Sequence, residues 1–391
     1  MTNESPVALA WPAKGNEIPK AVFQREDIYR LELERIFHGA EWHPVAHVCE
    51  IPQSGDYKTM DIGEVPVLIV RGQDGEVRVF VNACPHRGTQ LKTEPRGRAK
   101  MIECPYHRWT FNPQGKLMGA PGLQDFPASF LKDDYGLREV RSAVVHGLVF
   151  ATLSADTPDI DSYLGASAEP ISRVFGGEGE LRQLGYQKVN FSTNWKEYSD
   201  NEGYHAPLLH GAFRLLQWQG GKGEIFATNR AHKVTSAQLN HAPDNGYLND
   251  YSLIEKFNKD LPPESIVVTL FPVTIVIRHL DTISVRYAIP RSPHQTEVHY
   301  AYFARADDSE ALYQHRVRQA SNLLGPSGLI TLEDGAVFNR LHAGSRSCGE
   351  VEFQRGVTDD YHYPSQLQQN DEAGNLVRWE HYRQTMGFER G

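Results

Sequence analysis

Cysteine is scarce in this chain, with four residues in 391. So few thiols exclude a disulfide framework and fit a reducing cytoplasm. Long apolar runs are missing as well. None reaches the roughly 20 residues that a membrane-spanning helix needs. The opening "MTNESPVALAWPAKGNEIPK" lacks the charged segment and apolar core of a secretory signal. A cytoplasmic protein without membrane contact is therefore expected. Positive charge is not in excess either, since 40 basic residues stand against 49 acidic ones, a net charge of −9. That argues against general nucleic-acid binding. Internal repeats, low-complexity tracts and long charge blocks are absent too. What remains is an ordinary globular composition, 40% hydrophobic and 23% charged, in a chain long enough for two or three domains.

Half of the scarce cysteine sits in two short stretches, "NACPHRGTQL" (82–91) and "ECPYHRWT" (103–110). They give Cys84-x-His86 and Cys104-x-x-His107. A buried thiol near an incidental histidine is common, but a repeat in the same order is not. Two thiolates and two imidazoles on facing loops suit tetrahedral zinc or an iron–sulfur cluster. Zinc sites more often segregate a Cys pair from a His pair. One Cys and one His in each loop is what a Rieske [2Fe–2S] centre requires, with cysteines on one iron and histidines on the other. The cluster is the favoured reading. Cys49 and Cys348 remain outside it.

The rest of the chain reads as α+β. From Arg25 to Phe37 the apolar residues Ile28, Leu31, Ile36 and Phe37 recur at helical spacing. "VPVLIV" and "VRVFV" then flank Asp74-Gly75, a hairpin signal, and short β segments continue through "AVVHGLVFATL". The two Cys/His loops are expected at hairpin tips. "SADTPDIDSYL" marks a boundary. Beyond it, residues 265–306 read as an antiparallel meander, and helical periodicity returns in "SEALYQHRVRQASNLL" and again near Ile330. The expected domains are an N-terminal helical arm (1–39) packing on the catalytic part, a small all-β Rieske domain (40–155), and a larger domain (156–391) with an antiparallel sheet flanked by helices.

A second metal is suggested by "EYSDNEGYHAPLLH", which carries Glu202, His205 and His210. On an unbroken helix Glu202 and His205 share a face, but His205 and His210 lie about 140° apart. Pro207 breaks the helix between them and lets both imidazoles aim at one point. Two histidines make two-thirds of a facial triad. The carboxylate is expected from the helix after "GPSG", which offers Glu333 and Asp334. With 17 histidines in the chain, one such pair means little by itself. A one-electron carrier on the same chain changes that, because it needs something to reduce.

Taken together, these segments resemble the Rieske non-haem iron oxygenases, specifically the catalytic α subunits of aromatic ring-hydroxylating dioxygenases. The resemblance runs through "LELERIFHGAEWHPVAHV", "GDYKTMDIGEVPVLIVR", the two Cys/His loops, "NWKEYSDNEGYHAPLLH" and "GPSGLITLEDG". It implies that Cys84, His86, Cys104 and His107 hold the cluster, and that His205, His210 and Asp334 hold mononuclear Fe(II). It places Glu202 as the acid that bridges this iron to a cluster histidine of a neighbouring subunit. Three departures stand out. Glu replaces the commoner Asp at 202. The segment around Asp200 and Asn201 is about two residues shorter than usual. Arg108 stands where glycine is usual.

The implied protein is a cytoplasmic terminal oxygenase of aromatic hydrocarbon catabolism, mono- or cis-dihydroxylating an aromatic substrate with O2. Electrons would come from NAD(P)H through a separate reductase, with or without a ferredoxin, since the chain lacks nucleotide-binding and plant-type ferredoxin motifs. A homotrimer is implied, with or without a small β subunit. Two alternatives stand: oxidative N- or O-demethylation of a small methylated compound, and an electron carrier without catalytic iron. Phe213, Leu216 and Trp218 are candidate pocket residues, and Arg278 and Arg286 are candidates for a substrate carboxylate. Arg87, Lys92, Arg96, Arg98, Lys100 and Arg108 form a candidate docking rim for an acidic electron donor.

Overall fold

A computed structural model describes residues 7–177, 179–201, 209–211, 220–228, 230–239, 246–260, 264–361, 367–368 and 370–391. The chain divides into two compact units. One runs from Phe37 to Pro158; the other joins the chain up to Ile36 to Asp159–Gly391. The fold is α+β. No helix among the described residues is long and apolar enough to cross a membrane.

The smaller unit is built on a seven-stranded antiparallel sheet. Its centre is the hairpin Val65–Arg71 and Val77–Val81, turned at Gly75 with φ 85°. Only a residue without Cβ adopts that conformation cheaply, which is why Asp-Gly marks the turn. Its partner hairpin, Glu139–Val145 and Leu148–Thr152, turns at His146 and Gly147, both with positive φ. A three-stranded sheet, Ile102–Glu103, Thr110–Phe111 and Leu117–Gly119, carries the second Cys/His loop at its first hairpin. Between the sheets lies a core of Leu68, Phe80, Ile102, Trp109 and Phe111, into which Cys84 and Cys104 are packed.

The larger unit has an eight-stranded antiparallel sheet. The expected meander is its middle, Glu264–Leu270, Thr274–His279, Thr282–Ser292 and Gln295–Arg305, continued by Leu181–Phe191. Alternation along these strands is incomplete, because most of their side chains are buried on both faces. Two helices bear on the site. Trp195–Ser199 starts with a capping box between Asn194 and Glu197 and is buried throughout. Thr331–Gly344 carries Glu333 and Asp334 in its first turn. The N-terminal segment forms the helix Glu26–Glu32, which widens to a π-helical turn over Leu33–Phe37.

Candidate metal centres

The two Cys/His loops are built alike. Cys84 N–H donates to the Thr89 carbonyl at 2.8 Å, and Gly88 N–H to the Cys84 carbonyl at 2.8 Å. In the second loop Cys104 N–H donates to Trp109 (2.8 Å) and Arg108 N–H to Cys104 (3.1 Å). Each tight turn forces its fourth residue after the cysteine into left-handed space: Gly88 at φ 73° and Arg108 at φ 61°. The sequence departure at Arg108 therefore keeps the backbone of the turn and places a side chain in left-handed space. Its guanidinium reaches Glu103 at 2.8 Å and stays largely in solvent.

These turns separate the ligand types by depth. Cys84 and Cys104 are each 2% exposed, whereas His86 faces solvent and His107 is half-buried. Burial first, and then the neighbouring Cys104 thiol, push the Cys84 thiol above its usual pKa. Such a buried pair ionises readily only when a cation neutralises it. The His86 and His107 rings lie 4.8 Å apart at 63°. Trp109 stacks on His86 and Tyr106 on His107, with centroids at 4.7 and 3.7 Å. Among the described residues no three His, Cys, Asp or Glu side chains converge on one metal position. The residues fit a cluster with buried sulfur ligands and an outward histidine edge.

In the larger unit His210 is 1% exposed and held from two sides. Its Nδ1 lies 3.2 Å from Glu333 Oε2, and Glu333 also accepts the Gly211 N–H. Its Nε2 lies 3.4 Å from Asp334 Oδ1. Metal bonds of roughly 2.0–2.2 Å at right angles put adjacent donors about 3 Å apart, so Nε2 and Asp334 fit one cation. The two consecutive acids thus divide: Asp334 faces the inner nitrogen and Glu333 orients the ring from outside. Glu202 and His205 lie outside the described residues, as do Pro207, Phe213, Leu216 and Trp218.

The sheet face beneath Asp334 carries polar groups that the sequence reading did not assemble. Register puts Arg286 opposite Tyr300 and Ser284 opposite Tyr302. Arg286 is 8% exposed, stacks on Tyr300 at 5.1 Å, and makes one long bond to the Leu324 carbonyl at 3.4 Å. Among the described residues its Nε, the Tyr198 and Tyr300 hydroxyls and Ser284 Oγ are buried without a hydrogen-bond partner. His279 lies on the same face, and burial first, then Arg286 and His210, push it down to about 3. The available signal was alternation, with Ser and Arg two apart in the otherwise apolar "TISVRYAIP". Arg278 differs. It pairs with Glu264 and the Arg173 carbonyl, which removes it as a substrate ligand. Of the basic rim, Arg98 is paired with Asp56 and Arg108 with Glu103, while Arg87 lies over the exposed Tyr106 ring.

Comparison with known proteins decides what these centres belong to. Residues 41–132 match the Rieske [2Fe-2S] domain, and residues 179–387 match the ring hydroxylating alpha subunit catalytic domain. The chain belongs to the ring-hydroxylating oxygenase α-subunit family. This oxygenase is a Rieske non-haem iron oxidoreductase, and its two domains imply a cluster and a mononuclear iron. It is 32% identical to the anthranilate 1,2-dioxygenase large subunit of Burkholderia cepacia, covering 96% of this chain and 94% of that one. It is likewise 32% identical to a terephthalate 1,2-dioxygenase terminal oxygenase component α subunit of Comamonas, over 96% and 97%. The fold is that of naphthalene 1,2-dioxygenase from Rhodococcus, with a TM-score of 0.83 at 23% identity, covering 95% and 94%.

Proposed function

We propose that this oxygenase hydroxylates an aromatic carboxylate, and that Arg286 receives the carboxylate. The carrying observation is a buried guanidinium with no hydrogen-bonded acid among the described residues, beside Asp334. The surrounding tyrosines and Asp334 favour its charge, and an arriving carboxylate would add the direct ion pair that it lacks among the described residues. Neutral Tyr198 and Tyr300 hydroxyls and Ser284 add donors. Both relatives named above carry aromatic acids in their names.

In this reading residues 40–155 are the electron-accepting domain, with Cys84 and Cys104 on one iron and His86 and His107 on the other. His205, His210 and Asp334 hold Fe(II) in the catalytic domain, residues 156–391, against which the arm 1–39 packs. Bound there, the metal centres supply electron transfer and dioxygen chemistry. The chain's own groups do the rest. Glu333 keeps the His210 ring turned so that Nε2 faces inward, and Arg286 fixes the ring of the substrate against Asp334. Neutral His279 adds no second positive charge. Glu202 links the iron site to a cluster histidine of the next subunit in a homotrimer, with or without a β subunit. Electrons come from NAD(P)H through a reductase, with or without a ferredoxin. The cytoplasm is the expected compartment.

The test is product analysis under ¹⁸O₂ with benzoate-type acids, their neutral carboxamides and methylamines. Acids are expected to gain ring oxygen, two labels for dihydroxylation and one for monohydroxylation. Arg286→Gln is expected to raise KM for the acid by about 10- to 100-fold while barely changing that of the amide. Equal effects on both would reduce Arg286 to a structural cation. Formaldehyde without ring oxygen would replace hydroxylation by demethylation.

A further inference from the structure

The two Cys/His loops repeat each other in backbone but not in side chains. Counted from each cysteine, the second place holds His86 in one loop and Tyr106 in the other, and the third holds Arg87 and His107. Second and third places meet crosswise between the loops. One such meeting is that of the two ligand rings, His86 and His107, 4.8 Å apart. The other is Arg87 on Tyr106. The guanidinium lies 5.3 Å over that ring, and its Nη1 donates to the phenol oxygen at 3.3 Å. The arrangement that brings the ligands together therefore brings this pair together too.

An arginine over a surface tyrosine is ordinary by itself. Three observations set this one apart. Tyr106 is 55% exposed, so core packing does not hold it, yet its ring stacks on His107 with centroids 3.7 Å apart. His107 Nδ1 is buried with no hydrogen-bond partner among the described residues, which suits a nitrogen reserved for a metal. A ligand imidazole must also be held in orientation by its surroundings. For His86 the core does this: Trp109 stacks on it and is itself wedged among Phe126, Phe130 and Tyr135. One cluster histidine is braced from the core, the other from the surface.

We propose that Arg87 and Tyr106 form a clasp that holds His107 in its ligating orientation and ties the two cluster loops together. Neither side chain is a ligand. Tyr106 keeps the His107 ring from turning its Nδ1 outward, and Arg87 keeps the exposed Tyr106 ring in place. Arg87 is thus a positioning residue that acts through Tyr106, and it leaves the docking rim. The guanidinium suits the task because it is planar and can lie over a ring while its N–H groups still donate. The inference rests on the cluster ligands proposed above, not on the aromatic-acid reading.

The test uses the complete oxygenase with its cluster in place and reads the cluster without turnover. Both side chains are exposed, so the variants are expected to fold. Tyr106→Leu is expected to speed loss of the cluster absorbance to an iron chelator about tenfold. It should also change the histidine nitrogen couplings in pulsed EPR of the reduced cluster. Tyr106→Phe keeps the ring and should lose less. Arg87→Lys keeps the charge but not the planar fork, so it separates charge from clasp; it is expected to speed the loss about threefold. Adding Arg87→Lys to Tyr106→Leu should cost nothing further, because Arg87 acts through the ring. Parent-like rates and couplings in either Tyr106→Leu or Arg87→Lys overturn the clasp. So do additive losses in the double variant, which would mean that Arg87 acts on the cluster by another route. A parent cluster without histidine nitrogen couplings would overturn the ligand assignment, and this inference with it. Failure of all aromatic acids as substrates would overturn the preceding section and leave this one standing.

Discussion

Arg108 is the residue at which this chain differs most plainly from the pattern of its own first loop. Gly88 and Arg108 occupy equivalent places, four after a cysteine, and both turns demand positive φ. A side chain there costs roughly 1–2 kcal/mol, and an exposed ion pair with Glu103 returns little of it. Arg108→Gly is expected to stabilise the smaller unit by about 1 kcal/mol with the cluster spectrum unchanged. Gly88→Ala is expected to cost a similar amount, although nothing lies within 4 Å of the added Cβ. Thermal unfolding followed at the cluster absorbance checks both. Arg108→Gly that destabilises would mean the guanidinium does more than tolerate its turn.

At the scale of elements, the Trp195–Ser199 helix is too short to be stable alone and is fixed by what grips it. Glu32, at the end of the Glu26–Glu32 helix, accepts bonds from Trp195 Nε1, Lys196 Nζ and the Tyr382 hydroxyl. One buried carboxylate thus joins three helices, Glu26–Glu32, Trp195–Ser199 and Gly374–Met386. Glu32→Gln leaves the fully buried Lys196 without its counter-charge, a loss of about 3–5 kcal/mol. Since the Trp195 helix leads into Asp200 and the site, activity is expected to fall along with stability. Chemical denaturation checks the first; a variant as stable as the parent would show that Lys196 finds another anion or stays neutral.

At the scale of the whole molecule, the proposed homotrimer makes a prediction that no single chain can meet. If the cluster of one subunit feeds the iron of the next, head-to-tail contacts close into a ring. His107→Ala and His210→Ala are each expected to be inactive. Mixed oligomers of the two should recover part of the activity, because some interfaces pair an intact cluster with an intact iron site. Well-formed mixed oligomers without activity would sink transfer between subunits and take the bridging role of Glu202 with it.

The sequence by itself determined the α+β class, the meander and the two Cys/His loops. These are local features, written in spacings of two to five residues, in strand alternation and in turn residues such as Asp74-Gly75. Glu333 and Asp334 stand side by side in the sequence, and only the fold sets Asp334 at the Nε2 of His210 and Glu333 at its Nδ1. Tertiary structure alone decided the rest. Arg286 reads like Arg278 in sequence, yet opposite sheet faces give one a salt bridge and leave the other facing Asp334. Glu333 and His210 are 123 residues apart, and Glu32 and Lys196 are 164 apart. No periodicity reaches across such distances, because these contacts are made by sheet register and helix packing, which depend on every strand between them.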